Sequence, residues 1–212
     1  MKLHGYFRSS AAFRVRIALN LKALAYEQVS VHLRKNEQQR SEFLSLQPQG
    51  LVPALEDGGE VVIQSLAIIE YLDEMHPKPP LLPAKPPDRA RVRALAEAVA
   101  CDIHPIDNLR VLRYLANPLG HDERVVEAWF NHWIKLGFDA IERLLDDRRT
   151  GKFCHGDRAG LADICLVPQV FNAQRYPSFD MGPYPRIRRV FETCMALDAF
   201  ERARPEKQPD AE

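Results

Sequence analysis

The chain has 212 residues, 46% hydrophobic and 27% charged, with Lys+Arg and Asp+Glu both at 29. Zero net charge with interspersed signs argues against nucleic acid or an anionic membrane as the main partner, and no apolar run reaches the roughly 20 residues of a membrane-spanning helix. Residues 1–6 lack the apolar core of a secretory leader. The four cysteines, Cys101, Cys154, Cys165 and Cys194, form no CxxC pair and no zinc spacing, so the expectation is free, mostly buried thiols in a reducing cytoplasm, with no metal.

The N-terminal part mixes strand and helix signals. Residues 2–6 read as a short strand, followed at once by Ser9 and Ser10 and then by a helical stripe of Phe13, Ile17 and Leu21. Val29 and Val31 alternate with polar residues in a second strand. Residues 37–46 read as a helix stopped by Gln47-Pro48-Gln49-Gly50. Residues 52–56 and 61–64 flank Asp57-Gly58-Gly59 and read as a β-hairpin. Ser65 then suits a helix N-cap ahead of Leu66, Ile69 and Leu72. The order βαβ, then ββα, predicts a small α/β domain with a mixed sheet over 1–83.

Residues 76–87 hold six of the sixteen prolines, which marks a linker. From Asp88 the pattern is helical: Val92, Leu95, Val99, Ile103 and Ile106 step by three and four, as do Val126, Trp129, Trp133, Leu136, Ala140 and Leu144. Further helices are expected over 161–174 and 186–197, with no strand after 88, so 88–212 is expected to be an all-helical domain. The polar tail 204–212 reads as frayed.

Three places in the first domain carry possible chemistry. At Ser9-Ser10 two hydroxyls meet a helix start, where unpaired amides and the helix dipole stabilise an anion such as a thiolate; the same pattern serves an ordinary N-cap. In Gln49-Gly50-Leu51-Val52-Pro53 the Val-Pro bond suits a cis peptide, and the Val52 backbone suits pairing with an extended peptide ligand or a plain tight turn. Gln64-Ser65 opens a helix that either binds a carboxylate or is simply capped.

Their order and spacing resemble the glutathione transferase superfamily, and the run SSAAFRVRIAL from Ser9 resembles its zeta class, the family of maleylacetoacetate and maleylpyruvate isomerases. Supporting stretches are LQPQGLVPAL at 46–55, QSLAIIEYL at 64–72, DIHPIDNLR at 102–110 and LAD at 161–163. The resemblance implies a thioredoxin-like domain plus a helical domain, usually as a homodimer, with glutathione as cofactor. It implies that Ser9, with Ser10 beside it, stabilises the glutathione thiolate. Gln49 and Val52 would contact its cysteinyl and glycyl parts, Gln64 and Ser65 its γ-glutamyl end, and His104 and Asn108 would touch it as well. Arg8, Arg110 and Arg175 match arginines for substrate carboxylates.

The implied activity is glutathione-dependent cis–trans isomerisation of a maleyl dicarboxylate to its fumaryl form. A transferase or dehalogenase acting on electrophiles such as α-haloacids, and a non-catalytic glutathione-binding protein, are the alternatives. Two departures stand out. Ala11, Ala12 and Phe13 replace the usual Cys-Ser-Trp, and Gly160 replaces the Ser or Thr that opens the second-domain capping box ending at Asp163. Arg14 and Arg16 read as helix-surface or salt-bridge residues rather than ligands, and Trp129 and Trp133 as core.

Overall fold

The strand β1 (Lys2–Gly5) lies inside a four-stranded sheet of order β2-β1-β3-β4, in a computed structural model that describes all 212 residues. It pairs in parallel with β2 (Glu27–Ser30) through the crossover helix α1 (Ser10–Leu21), and antiparallel with β3 (Ala54–Asp57). β3 and β4 (Glu60–Ile63) form the expected hairpin; Gly58 (φ 59°) and Gly59 (φ 93°) supply the left-handed backbone that a two-residue turn requires. The helix α3 (Ser65–Met75) follows and packs on α1.

The chain divides into two compact units, Met1–Leu81 with Met195–Glu212, and Leu82–Cys194. The division falls inside the proline-rich segment, and Met195–Glu212 groups with the first unit rather than with the helical one, unlike the 88–212 expectation. The tail is not frayed either. Asp210 accepts hydrogen bonds from the Phe7 N–H (3.0 Å), the Gln28 amide (2.7 Å) and the Ser30 hydroxyl (3.1 Å), and Glu212 pairs with His32. Its polar composition suits solvation, yet its carboxylates hold side chains on and just after the edge strand β2 and the Phe7 N–H just after β1.

The expected helix over 37–46 is shorter. A 3₁₀ turn (Glu37–Gln39) is cut off by Arg40, whose backbone is extended (φ −72°, ψ 147°), and only α2 (Ser41–Leu46) is α-helical. The larger surprise is α1. Every residue from Ala12 to Leu19 is buried, including Arg14 (2% exposed) and Arg16 (1%), so these two are not surface residues. Arg16 donates from Nε to the Ala203 carbonyl (3.0 Å) and from Nη2 to the Phe7 carbonyl (2.9 Å). Burial lowers its pKa to about 10, which leaves it charged at neutral pH. At the helix end, the buried Lys22 ammonium donates to Asp73 (2.7 Å) and to the carbonyls of His76 (2.6 Å) and Pro79 (2.9 Å), tying α1 to the end of α3.

The second unit is helical, with no strand. It runs through α4 (Pro86–Glu97), a π-helical segment (Ala98–Ile103), α5 (Leu109–Ala116), α6 (Glu123–Leu144), α7 (Leu161–Ala173) and α8 (Pro185–Met195). α6 is rotated from the expected stripe. Val126, Phe130, Ile134, Phe138 and Ile141 are buried, Trp129 and Trp133 are half-buried, and Leu136 and Leu144 are about half exposed. Steps of three and four fit both faces, and the phenylalanines win the interior. Gly137 belongs to this packing, since a Cβ there would lie 2.2 Å from Ile103 Cδ1.

α7 is capped as expected of Gly160 and Asp163: one Asp163 oxygen accepts from the Gly160 N–H (2.9 Å), the other from the Cys154 N–H (2.8 Å). Gly160 has no side chain to return the second bond of a full capping box. None of the cysteines is in a disulfide, and Cys101 is exposed. No helix is long and apolar enough to cross a membrane.

Candidate functional site

The first unit gathers its candidate residues at the N-termini of α1 and α3 and in the loop before β3. Ser9 is the N-cap of α1; its Oγ accepts from the Ala12 N–H (3.2 Å), and its backbone N–H donates to the Tyr6 carbonyl (2.9 Å). The capping reading therefore holds. It leaves the hydroxyl proton of Ser9 available, because an oxygen that accepts through a lone pair still has its O–H to donate. Ser10 is the first helical residue, half-buried beside it, and Arg8 is exposed one position before. No acidic residue lies in the first turn of α1. The positive end of a twelve-residue helix therefore faces the Ser9 hydroxyl without local compensation.

In the loop, the Val52–Pro53 peptide is cis. Val52 is half-buried, and its N–H and C=O take no part in the hydrogen bonds of the fold. Gln49 is fixed by its own N–H donating to the buried Gln47 side chain (2.5 Å). Its Oε1 accepts from Gln64 Nε2 at 2.8 Å, so two candidates fifteen residues apart meet.

Ser65 departs from the expectation. The N-cap of α3 is Gln64, in an unusual backbone conformation (φ 69°, ψ 120°) and without a side-chain capping bond. Ser65 is the first helical residue, 6% exposed, and its Oγ accepts from Nη1 of the buried Arg14 at 3.3 Å. Sequence reasoning missed Arg14 as part of this cluster. The available signal was its setting: Arg14 and Arg16 are the only charges in the run from Ala11 to Leu19, which leaves that helix no polar face on which to solvate them.

In the second unit, His104 and Asn108 stand together, with the Asn108 amide 3.4 Å from His104 Nε2. Asn108 is the N-cap of α5, its Oδ1 accepting from the Arg110 N–H at 3.1 Å. Arg110 is thereby placed in the first turn of α5, with its side chain exposed. Arg175 lies just beyond α7, exposed, with its guanidinium 5.4 Å from the centre of the Tyr176 ring. Trp129 donates to the Ile106 carbonyl (3.0 Å), holding α6 against this segment.

Asp107 is the anomaly between these residues. It is 4% exposed, neither carboxylate oxygen has a hydrogen-bond partner, and burial pushes its pKa up to about 8. It holds its proton at neutral pH.

The chain is similar to known proteins along its whole length. The family model for the glutathione S-transferase N-terminal domain matches residues 1–74, and that for the C-terminal domain matches residues 126–193. A maleylpyruvate isomerase of Ralstonia sp is 52% identical, with all of both chains covered. The holo structure of a bacterial maleyl pyruvate isomerase, described as a zeta-class glutathione-S-transferase, superposes with a TM-score of 0.98 at 52% identity over all of both chains. A maleylacetoacetate isomerase structure from Methylobacterium extorquens AM1, with malonate and GSH bound, gives a TM-score of 0.96 at 42% identity, again covering both chains fully.

Proposed function

The chain belongs to the zeta class of glutathione S-transferases, and from that premise we propose that it is a glutathione-dependent cis–trans isomerase of maleyl dicarboxylates, maleylpyruvate or maleylacetoacetate. One observation carries the reading: the match to isomerases runs the full length of the chain in both sequence and fold. The geometry of the first unit is the arrangement such chemistry needs.

Glutathione, when bound, would supply a thiol nucleophile able to isomerise a cis double bond by reversible addition, and Ser9 with the start of α1 would hold its sulfur. The protein's part is to hold charge and to orient. Ser9 donates its free hydroxyl proton toward the sulfur, and the unpaired amides at the start of α1 add the field of the helix N-terminus. Both favour the ionised thiol over the neutral one. Val52 offers a backbone donor and acceptor to the extended tripeptide, and Gln49 orients beside it. Gln64 and Ser65 take the γ-glutamyl end at the start of α3. His104 and Asn108 complete the residues that this reading assigns to glutathione.

A substrate with two carboxylates calls for guanidinium groups, which pair bidentately with carboxylate. Arg8, Arg110 and Arg175 are all exposed and fill that role in this reading. The malonate and GSH bound together in the Methylobacterium relative support a dicarboxylate beside glutathione. Ala11 removes the cysteine usual in this class and leaves the serine, so the thiol that reacts is that of glutathione alone. We place the protein in the cytoplasm as a homodimer. Four thiols outside any disulfide support the compartment; exposed Val61 on the edge strand β4 and Met75 at the end of α3 are apolar surface for a second copy to cover.

The test is isomerisation of maleylpyruvate and of maleylacetoacetate, with and without glutathione, by the wild type and Arg110→Ala. The expected result is turnover that needs glutathione without consuming it and falls at least about tenfold in the variant, as the loss of one charge-assisted pair implies. Glutathione binding without turnover of either compound would contradict the isomerase assignment and favour a transferase.

A further inference from the structure

We propose that Arg14 is a positioning residue that sets the polarity of Ser65, committing its hydroxyl to donate to a carboxylate. The inference rests on the reading of Gln64 and Ser65 as the seat of the γ-glutamyl end, and deepens it. A serine hydroxyl is ambivalent, able to donate or to accept. At the first position of α3 it is not serving as the helix cap, which is Gln64. Its oxygen instead accepts from Arg14 Nη1 at 3.3 Å, with Arg14 2% and Ser65 6% exposed.

A guanidinium has donors only and does not lose its proton in a protein. The Ser65 proton therefore cannot point toward Arg14 and must point to another acceptor. The group facing it is thereby restricted to one that accepts. The amides of the first turn of α3 and its dipole add the same preference. A buried cation just behind the hydroxyl strengthens it further, because little water screens the charge. Arg14 thus selects a carboxylate at this point without touching it, and Gln64, held to Gln49 at 2.8 Å, stands beside the seat.

Calorimetric binding to the unreacted protein tests this, using glutathione and its analogue with γ-aminobutyrate in place of γ-glutamate, which keeps the thiol and lacks the α-carboxylate. The prediction is that Arg14→Met and Ser65→Ala each weaken glutathione at least about tenfold, as loss of one hydrogen bond to a charged group implies. Neither should change the affinity of the analogue. The double variant should bind glutathione no more weakly than the poorer single one, since the two act through one contact. Arg14→Lys, which keeps a donor-only cation, should recover part of the loss.

Equal weakening of both ligands in a folded Arg14→Met would reduce Arg14 to a structural role and overturn the proposal, as would unchanged glutathione affinity. If Arg14→Met does not fold, Ser65→Ala decides: selective loss of glutathione supports the proposal, and undiminished binding overturns it. A wild type that binds no glutathione would instead sink the functional reading on which this rests.

Discussion

Helix α1 and its C-cap in the first unit bury three cations, Arg14, Arg16 and Lys22, while the turn before α5 in the second unit buries a carboxyl, Asp107. Arg16 and Lys22 are provided for, and Arg14 is engaged through its Nη1. Arg16 and Lys22 between them engage four backbone carbonyls and Asp73, and Arg14 engages Ser65. Asp107 has no hydrogen-bond partner on either oxygen. A charge removed from water persists only where other dipoles replace its hydration; otherwise the group takes the neutral form. The first unit follows the first course and keeps fixed positive charge in its interior. Asp107 follows the other and carries a proton, while the buried Asp163 of the same unit has two N–H donors of its own.

The comparison breaks most visibly at Lys22. Replacing it with Met leaves Asp73 and two carbonyls without their shared donor, and the expected cost is about 3–5 kcal/mol, that of stranding one member of a buried pair. Urea unfolding of the variant measures it. A loss under about 1 kcal/mol would show that this cation is not integral to the fold.

A smaller effect of opposite sign is expected at Asp107. Its pKa in the folded chain, about 8, lies above the ordinary 3.8, so folding favours the protonated form. Below the lower value both states are protonated and nothing is lost. As pH rises between the two values the unfolded chain ionises while the folded one does not, and stability falls until the folded group also ionises. Asp107→Asn should therefore stabilise the protein by about 1–3 kcal/mol near pH 9 and by little near pH 4, as followed by unfolding across that range. A uniform gain at all pH values would mean that ionisation is not the cause.

What was legible in the sequence was local. The strand-helix-strand order, the Asp57-Gly58-Gly59 turn, the Ser9 cap and the Gly160–Asp163 cap all depend on residues within a few positions of one another, where turn and cap chemistry act. What was not legible depends on distant partners. Nothing near Asp210 says that its carboxylate closes on Phe7, Gln28 and Ser30, and nothing near Ser65 says that its oxygen belongs to Arg14. The α6 face was misjudged for the same reason, because Gly137 against Ile103 is a contact between helices rather than a periodicity. The candidate residues of the first unit stood out because helix starts announce themselves; the arginine that contacts Ser65 did not, because its burial is a tertiary fact.

In the proposed function the start of α1, through Ser9, holds glutathione as its thiolate. The most direct measurement is a spectroscopic titration of the thiol of bound glutathione, by its ultraviolet thiolate absorbance, in the wild type and in Ser9→Ala. The account predicts ionisation in the wild type well below the roughly 8.5 of an ordinary cysteine thiol, and a return toward that value in the variant. A bound thiol that titrates like free glutathione, or one whose depressed value survives loss of the Ser9 hydroxyl, would contradict it.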